Sequence, residues 1–490
     1  MAHWSIAYYI GPNYNKPWET FEGDEKPACI ALARTSIQAA RGLLDHVTPL
    51  EHTLIDALAA HYPETSDIDD FSPWNDAFTD AMRRVHSEFG TDLDVCALFA
   101  EALMNRTPWQ LWDLPTGKPA EGADTLEAIV VLENAFSSLA GAWQHAGLLH
   151  MYAHLMEMSP HPEKGLRHGD ALSTLVPDAG HLLHMATHID VLCGDYMNVV
   201  LRNEATIVAD WKFLIQKGAN NFYSVYRCHN YHFKIYGAMF LGQPSVALNA
   251  ADALIADLPT EALRPLADWF EGFIPMKQHV LIRFGRWADI LAQEFPEDQG
   301  LYCMTTAMMR YARTVSLANL HRIEEADAEK SLFYDALDRV PDSRMLFNNK
   351  CTDILKVAEQ MLLGELAYHK GDHDAAFDHL RHSVEIDDNM PYDEPWGWMQ
   401  PTRHALGALL LEQGKLDEAK AVYRADLGLD DTLSRACQHP GNVWSLNGLH
   451  ECLTRRGEAT EAMHIKRQLD KAAARAEMLI RASCYCRQQQ

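Results

Sequence analysis

Ten of the 25 histidines in this 490-residue chain fall between His145 and His232, and three runs in that stretch space imidazoles as a metal ion requires. They are Gly147-Leu-Leu-His150-Met-Tyr-Ala-His154-Leu-Met-Glu157, Gly180-His181-Leu-Leu-His184-Met-Ala-Thr-His188-Ile and His229-Asn-Tyr-His232-Phe. Successive residues of an α-helix turn by about 100°, so His150, His154 and Glu157 project within an arc of roughly 60°. His181, His184 and His188 share a similarly narrow face, and His229 and His232 stand three apart.

These spacings give a candidate ligand set of His150, His154, His184, His188, His229 and His232, with Glu157 and His181 as catalytic groups or as partners that orient the rings. Mostly imidazole donors suit copper, iron or zinc and disfavour magnesium and calcium, which take oxygen. Should His150, His154 and Glu157 act alone, they form a two-His-one-carboxylate iron site; should six histidines split three and three, a coupled copper pair results. A zinc hydrolase with Glu157 or Asp190 as base is a third arrangement. Copper is favoured over iron and zinc. The competing reading is a buried polar network, in which every ring nitrogen needs a partner.

What must position these residues is a helical array. Apolar residues recur at helical spacing from Pro27 to His61 with a break at His46-Val47-Thr48-Pro49, and again from Phe71 to Leu103. An opening helix runs to Gly11-Pro12-Asn13, Asn105 to Pro119 reads as a loop, and Leu126 to Ala142 as another helix. Gly194, Gly242, Gly285, Gly371, Gly414 and Gly457 each precede a new helix, the last three 43 residues apart. One further turn, without glycine, is expected at Leu320-His321-Arg322. Strand signals are nearly absent.

The units resemble the tetratricopeptide repeat, most clearly in Leu363-Gly364…Ala367-Tyr368…Gly371…Ala375-Ala376…Leu380 and in Leu406-Gly407…Gly414…Ala419…Tyr423. The chain as a whole resembles a group of bacterial and fungal tetratricopeptide-repeat proteins with no assigned reaction. The resemblance rests on Ala2-His3-Trp4…Gly11-Pro12-Asn13-Tyr14-Asn15, on Ala97 to Asn105 with Pro108-Trp109, and on the three histidine runs. Members usually carry a further hairpin ahead of the Ala2-His3-Trp4 segment and often have proline where Ala186 stands. The expected fold is all-α, a right-handed superhelical solenoid of tetratricopeptide-like hairpins. Residues 1–142 would form N-terminal hairpins, 143–240 the His-rich centre and 241–490 C-terminal repeats, in one continuous solenoid whose three histidine clusters converge on a concave wall.

A formal charge of −26 argues against nucleic acid and anionic membrane surfaces as partners, since both bind through clustered Lys and Arg. Ten scattered cysteines without a Cys-x-x-Cys pair, and an N-terminus lacking the basic-then-apolar run of a secretory signal, lead to an expected cytoplasmic protein with reduced thiols. Cys484 and Cys486 read as a thiol pair in the tail, and Met151, Met156, Met158 and Met185 as core. The acidic stretches from Glu64 to Asp70 and from Glu385 to Asp388 read as solvated turns. Pro391 to His404, with Trp396, Trp398 and Arg403, is either a substrate wall or a loop plugging the groove, and His439-Pro-Gly-Asn442-Val-Trp444 has the same two readings. No phosphate loop, nucleophile elbow or dinucleotide fingerprint occurs. The function expected is a metal-dependent oxidoreductase acting on a small-molecule substrate. The alternatives are a repeat scaffold that binds a peptide or protein partner, and a zinc-dependent hydrolase.

Overall fold

A computed structural model describes residues 1–21, 23–63 and 70–487; the acidic stretch from 64 to 69 lies outside the described residues. The chain forms two compact units, Met1–Val176 and Pro177–Gln490, a division that falls inside the 143–240 stretch. Both are all-α. Among the described residues the only strands are two two-residue hairpins, Trp112–Asp113 with Lys118–Pro119 and Met345–Leu346 with Asn349–Lys350.

In the first unit the helices alternate as antiparallel hairpins, among them Glu25–Arg41 with Pro49–Ala60 and Ser72–Phe89 with Leu93–Met104. Thr48 begins one of them with a capping box, accepting from the Glu51 amide while the Glu51 carboxylate accepts from the Thr48 amide. Asp92 starts another by accepting from the Val95 amide. Trp18 anchors the aromatic core, packed against Phe21, Tyr62, Phe71 and Trp74. The opening helix Ala2–Tyr9 sends Trp4 to the Leu54 carbonyl and Tyr8 to Glu101, while Tyr9 points out to solvent.

In the second unit the repeat punctuation has a clear physical cause. Gly194, Gly242, Gly285, Gly371, Gly414 and Gly457 all adopt positive φ, between 62° and 85°, where a side chain is strained. Each is followed by an amide that reaches back to a carbonyl five residues earlier, as in Gln243 to Ala238 and Lys415 to Leu410. The expected glycine-free turn is real: His321 takes φ 57°, and Arg322 makes the same return bond to Leu317. After these turns the helices present Ala247, Ala326, Ala376 and Ala419, all fully buried, which allows close approach of the preceding helix.

The repeat hairpins close most tightly around Tyr423. A Cβ on Gly407 would stand 2.6 Å from its ring and one on Gly448 2.2 Å, so the helices Arg403–Glu412, Leu416–Asp426 and Val443–Arg455 meet only because both positions lack a side chain. No helix among the described residues is long and apolar enough to cross a membrane. At the tail the Cys484 and Cys486 sulfurs lie side by side, and the other eight cysteines are free. All four methionines assigned to the core are buried.

Two stability measurements follow from this packing. Gly448→Ala should lower stability by about 1–3 kcal/mol through overpacking against Tyr423, read as an earlier midpoint in chemical denaturation. His61, stacked on Phe78 and bonded to Asn75, is pushed by burial from 6.5 down to about 4. Between those values the unfolded chain binds a proton that the folded chain refuses, so stability falls as pH falls, by about 1.4 kcal/mol per pH unit. His61→Gln should flatten the stability profile over that window, and an unchanged slope would refute a neutral buried His61.

Candidate metal centre

The centre is built from two consecutive helical segments and one later helix. The run expected as a single helix from His181 to His188 breaks at Met185, giving Gly180–His184 and Ala186–Leu192. The break falls beside Ala186. It brings His184 and His188 ring to ring, and the helix Tyr223–Leu241 adds His229. All three side chains are buried, and one nitrogen from each lies within 4.8 Å of the others.

Hydrogen bonding at Nδ1 orients two of the three rings. The Asn203 amide nitrogen donates to the Val199 carbonyl at 2.8 Å, so its oxygen is what meets His184 Nδ1 at 2.7 Å. His184 therefore carries its proton on Nδ1. His188 Nδ1 lies 2.9 Å from the Glu394 carboxylate and carries its proton there for the same reason. The Nε2 atoms of His184 and His188 stand 2.7 Å apart, with His229 Nε2 3.4 Å from His188 Nε2.

A shared proton would relieve that contact, but burial, reinforced by neighbouring imidazoles, holds His184 and His229 well below their ordinary pKa. A metal cation relieves it without a proton. Tetrahedral ligation at about 2.0–2.1 Å spaces nitrogens roughly 3.3 Å apart, the separation already present between His229 and His188. A carboxylate behind one ligand and an amide oxygen behind another are the partners that metal-binding imidazoles commonly have. Phe233 stacks flat on His188, and Phe347 packs against the edge of His229, so the centre has apolar walls.

In the first unit His150 and His154 face each other at 4.7 Å between ring centres, and His154 Nδ1 meets Glu157 at 2.8 Å. Asn15 approaches His154 Nε2 at 3.3 Å and Tyr14 packs on the ring, which gives the Asn13-Tyr14-Asn15 motif a local role. In the second unit His181 lies against Tyr226. His232, though only three residues from His229, turns its Nε2 to Met399 Sδ at 2.7 Å and its ring edge to Phe273. Asp190 pairs with Arg202 at 3.2 Å.

Sequence reasoning missed Glu394 and Asn203. Glu394 sits in the Pro- and Trp-rich loop already singled out, so its place was marked although its role was not. Nothing in the sequence marked Asn203. The loop itself plugs the interior: Trp396, Trp398 and Met399 are buried, Trp398 packs against His279 and Tyr311, and Arg403 pairs with Asp388.

No protein-family model matches the chain, and no curated protein does. Solved structures with related layouts include IFIT1 as a monomeric mutant with m7Gppp-AAAA, at TM-score 0.37 and 10% identity over 96% of this chain and 94% of that one. They also include the human IFIT1 dimer with m7Gppp-AAAA, at 0.35 and 10% over 96% and 95%. Likenesses this distant carry no argument about ligands.

Removing the carboxylate behind His188 tests the assignment of its tautomer. Glu394→Gln should weaken transition-metal affinity about 10–100-fold, measured by competition with a chromophoric chelator. Unchanged affinity would mean that the Glu394 contact does not prepare His188 for an ion.

Proposed function

We propose that the chain is a metal-dependent enzyme acting on a small organic molecule, with one transition-metal ion held by His184, His188 and His229. The observation that carries this reading is the convergence of three buried imidazoles, His184, His188 and His229, with one nitrogen of each within 4.8 Å of the others. Three neutral imidazoles without a thiolate or carboxylate suit copper or zinc and leave a position for substrate or water. Copper there would supply one-electron chemistry with dioxygen and make the protein an oxidoreductase, which we favour; zinc would supply Lewis acidity and hydrolysis. A small substrate, in preference to a bound peptide, is supported by the loop from 391 to 402. It contacts His188, His232, His279 and Tyr311, on four separate helices, and so takes up the inner space that a peptide would need.

Metal analysis after reconstitution with copper, zinc and iron in turn tests this reading. The expected result is about one tightly bound equivalent, lost in His184→Ala with His188→Ala while the fold persists by circular dichroism. A second pair, His150→Ala with His154→Ala, asks whether the first-unit imidazoles contribute. A wild-type protein that retains no metal would sink the proposal. Stoichiometric zinc in preference to copper would replace the redox reading with the hydrolytic one.

A further inference from the structure

A second buried network in the same unit does not involve these ligands. Its hub is Asp426, fully buried at the end of the helix Leu416–Asp426. Four side chains donate to its carboxylate: His439 Nδ1 at 2.8 Å, His404 Nε2 at 3.0 Å, Asn442 Nδ2 at 2.9 Å and Ser445 Oγ at 2.5 Å. Each donor is fixed in turn. Asn442 must present its nitrogen, because its oxygen caps the Ser445 amide. His404 must present a protonated Nε2, because Arg283 donates to its Nδ1 at 2.7 Å. Although burial alone would push the Asp426 carboxyl up, His404 and His439 hold it well below the usual range, so it is an anion with its acceptor sites filled.

An anionic Asp426 places the His439 proton on Nδ1 and leaves Nε2 as an acceptor. Nε2 lies 3.1 Å from the Tyr236 hydroxyl, which therefore donates to it. The chain Asp426–His439–Tyr236 has the same logic as an Asp–His–hydroxyl triad: an anion orients an imidazole, and the imidazole stands ready to take a hydroxyl proton. It also ends on open space. A cavity of about 20 Å³, counted as room for the centre of a water molecule, is lined by Tyr236, His439, Tyr392, Glu394 and Trp396. That volume admits a molecule of only a few heavy atoms. Glu394, 93% buried, adds a second polar feature, because its Oε1 accepts no hydrogen bond among the described residues while Oε2 meets His188 Nδ1.

We infer that Tyr236 is the proton-accepting catalytic residue of a site for a small molecule bearing an acidic O–H or N–H, with His439 as its base and Asp426 as the positioning anion. In the step this implies, the substrate's H–X bond breaks and its proton passes to the Tyr236 oxygen. The original Tyr236 proton moves to His439 Nε2, and the bonding pair stays on X. The positive charge formed on His439 lies against Asp426. Burial raises the Tyr236 phenol well above its ordinary pKa, so transfer coupled to His439 is the route open to it. Glu394 Oε1 is placed to accept a second hydrogen from the same molecule. The cavity is also lined by His188, but the relay itself uses none of the three proposed ligands.

A small electrophile tests the relay directly. With methanesulfonyl fluoride the Tyr236 oxygen attacks sulfur, the S–F bond breaks, fluoride leaves and the phenolic proton goes to His439. Peptide mapping by mass spectrometry should find the sulfonate ester on Tyr236 in excess of that on Tyr9, which is 86% exposed and has only its intrinsic reactivity. His439→Gln should slow Tyr236 labelling by about 100-fold and leave Tyr9 unchanged. Equal labelling in a folded His439→Gln protein, or no adduct on Tyr236 in the wild type, would overturn the assignment. Should the variant not fold, the ratio of Tyr236 to Tyr9 adducts in the wild type decides the matter. Because no metal enters this reaction, its outcome is independent of the metal analysis.

Discussion

A close contact between two buried imidazoles sets the terms for the second unit. His184 turns its Nδ1 to Asn203 and His188 its Nδ1 to Glu394, and the two Nε2 atoms face each other across 2.7 Å. A buried acceptor without a donor costs about 1–3 kcal/mol, and two opposed acceptors add repulsion to desolvation. A cation between the rings would resolve the contact. The break at Met185 turns the rings toward each other, and Phe233 and Phe347 pack against them.

The loop from 391 to 402 is the other structural commitment of this unit, because it has to be paid for by hydrogen bonds in the interior. Asn349 supplies bonds to the Pro391 carbonyl and to Asp393, Asp387 accepts from Thr402, and Trp396 donates to the Asp387 carbonyl. Burial pushes the Asp393 carboxyl well above the ordinary range, while the Asn349 amide and the Glu394 backbone amide donate to its two oxygens. Glu394 is partnered by His188. Loop and histidine thus justify each other's burial.

What could be read in advance follows from the range of the interaction. The turns were legible because positive φ leaves a local mark, glycine, and His321 shows that the turn itself persists without that mark, held by the Arg322 return bond. His184 and His188 were legible because both lie on one short stretch, and His229 because helical spacing suggested a ligand face. The same spacing misjudged His232: three residues turn a helix by about 300°, and the 60° remaining between the two rings suffices to aim one at His188 and the other at Met399. Glu394 and Asn203 were out of reach, since their roles come from tertiary contacts that no local period encodes.

The two carboxylates also differ in a way that assigns them different work. Asp426 is saturated by four donors, which lowers its basicity and leaves it able only to orient and to balance charge. Glu394 has one oxygen on His188 and the other without a protein partner among the described residues, so that oxygen is open to a hydrogen bond from a bound molecule. Both reach the same cavity, Glu394 directly and Asp426 through His439. A saturated anion behind one wall and an unsaturated one in another give a bound molecule unequal acceptors, the asymmetry that directional proton transfer requires.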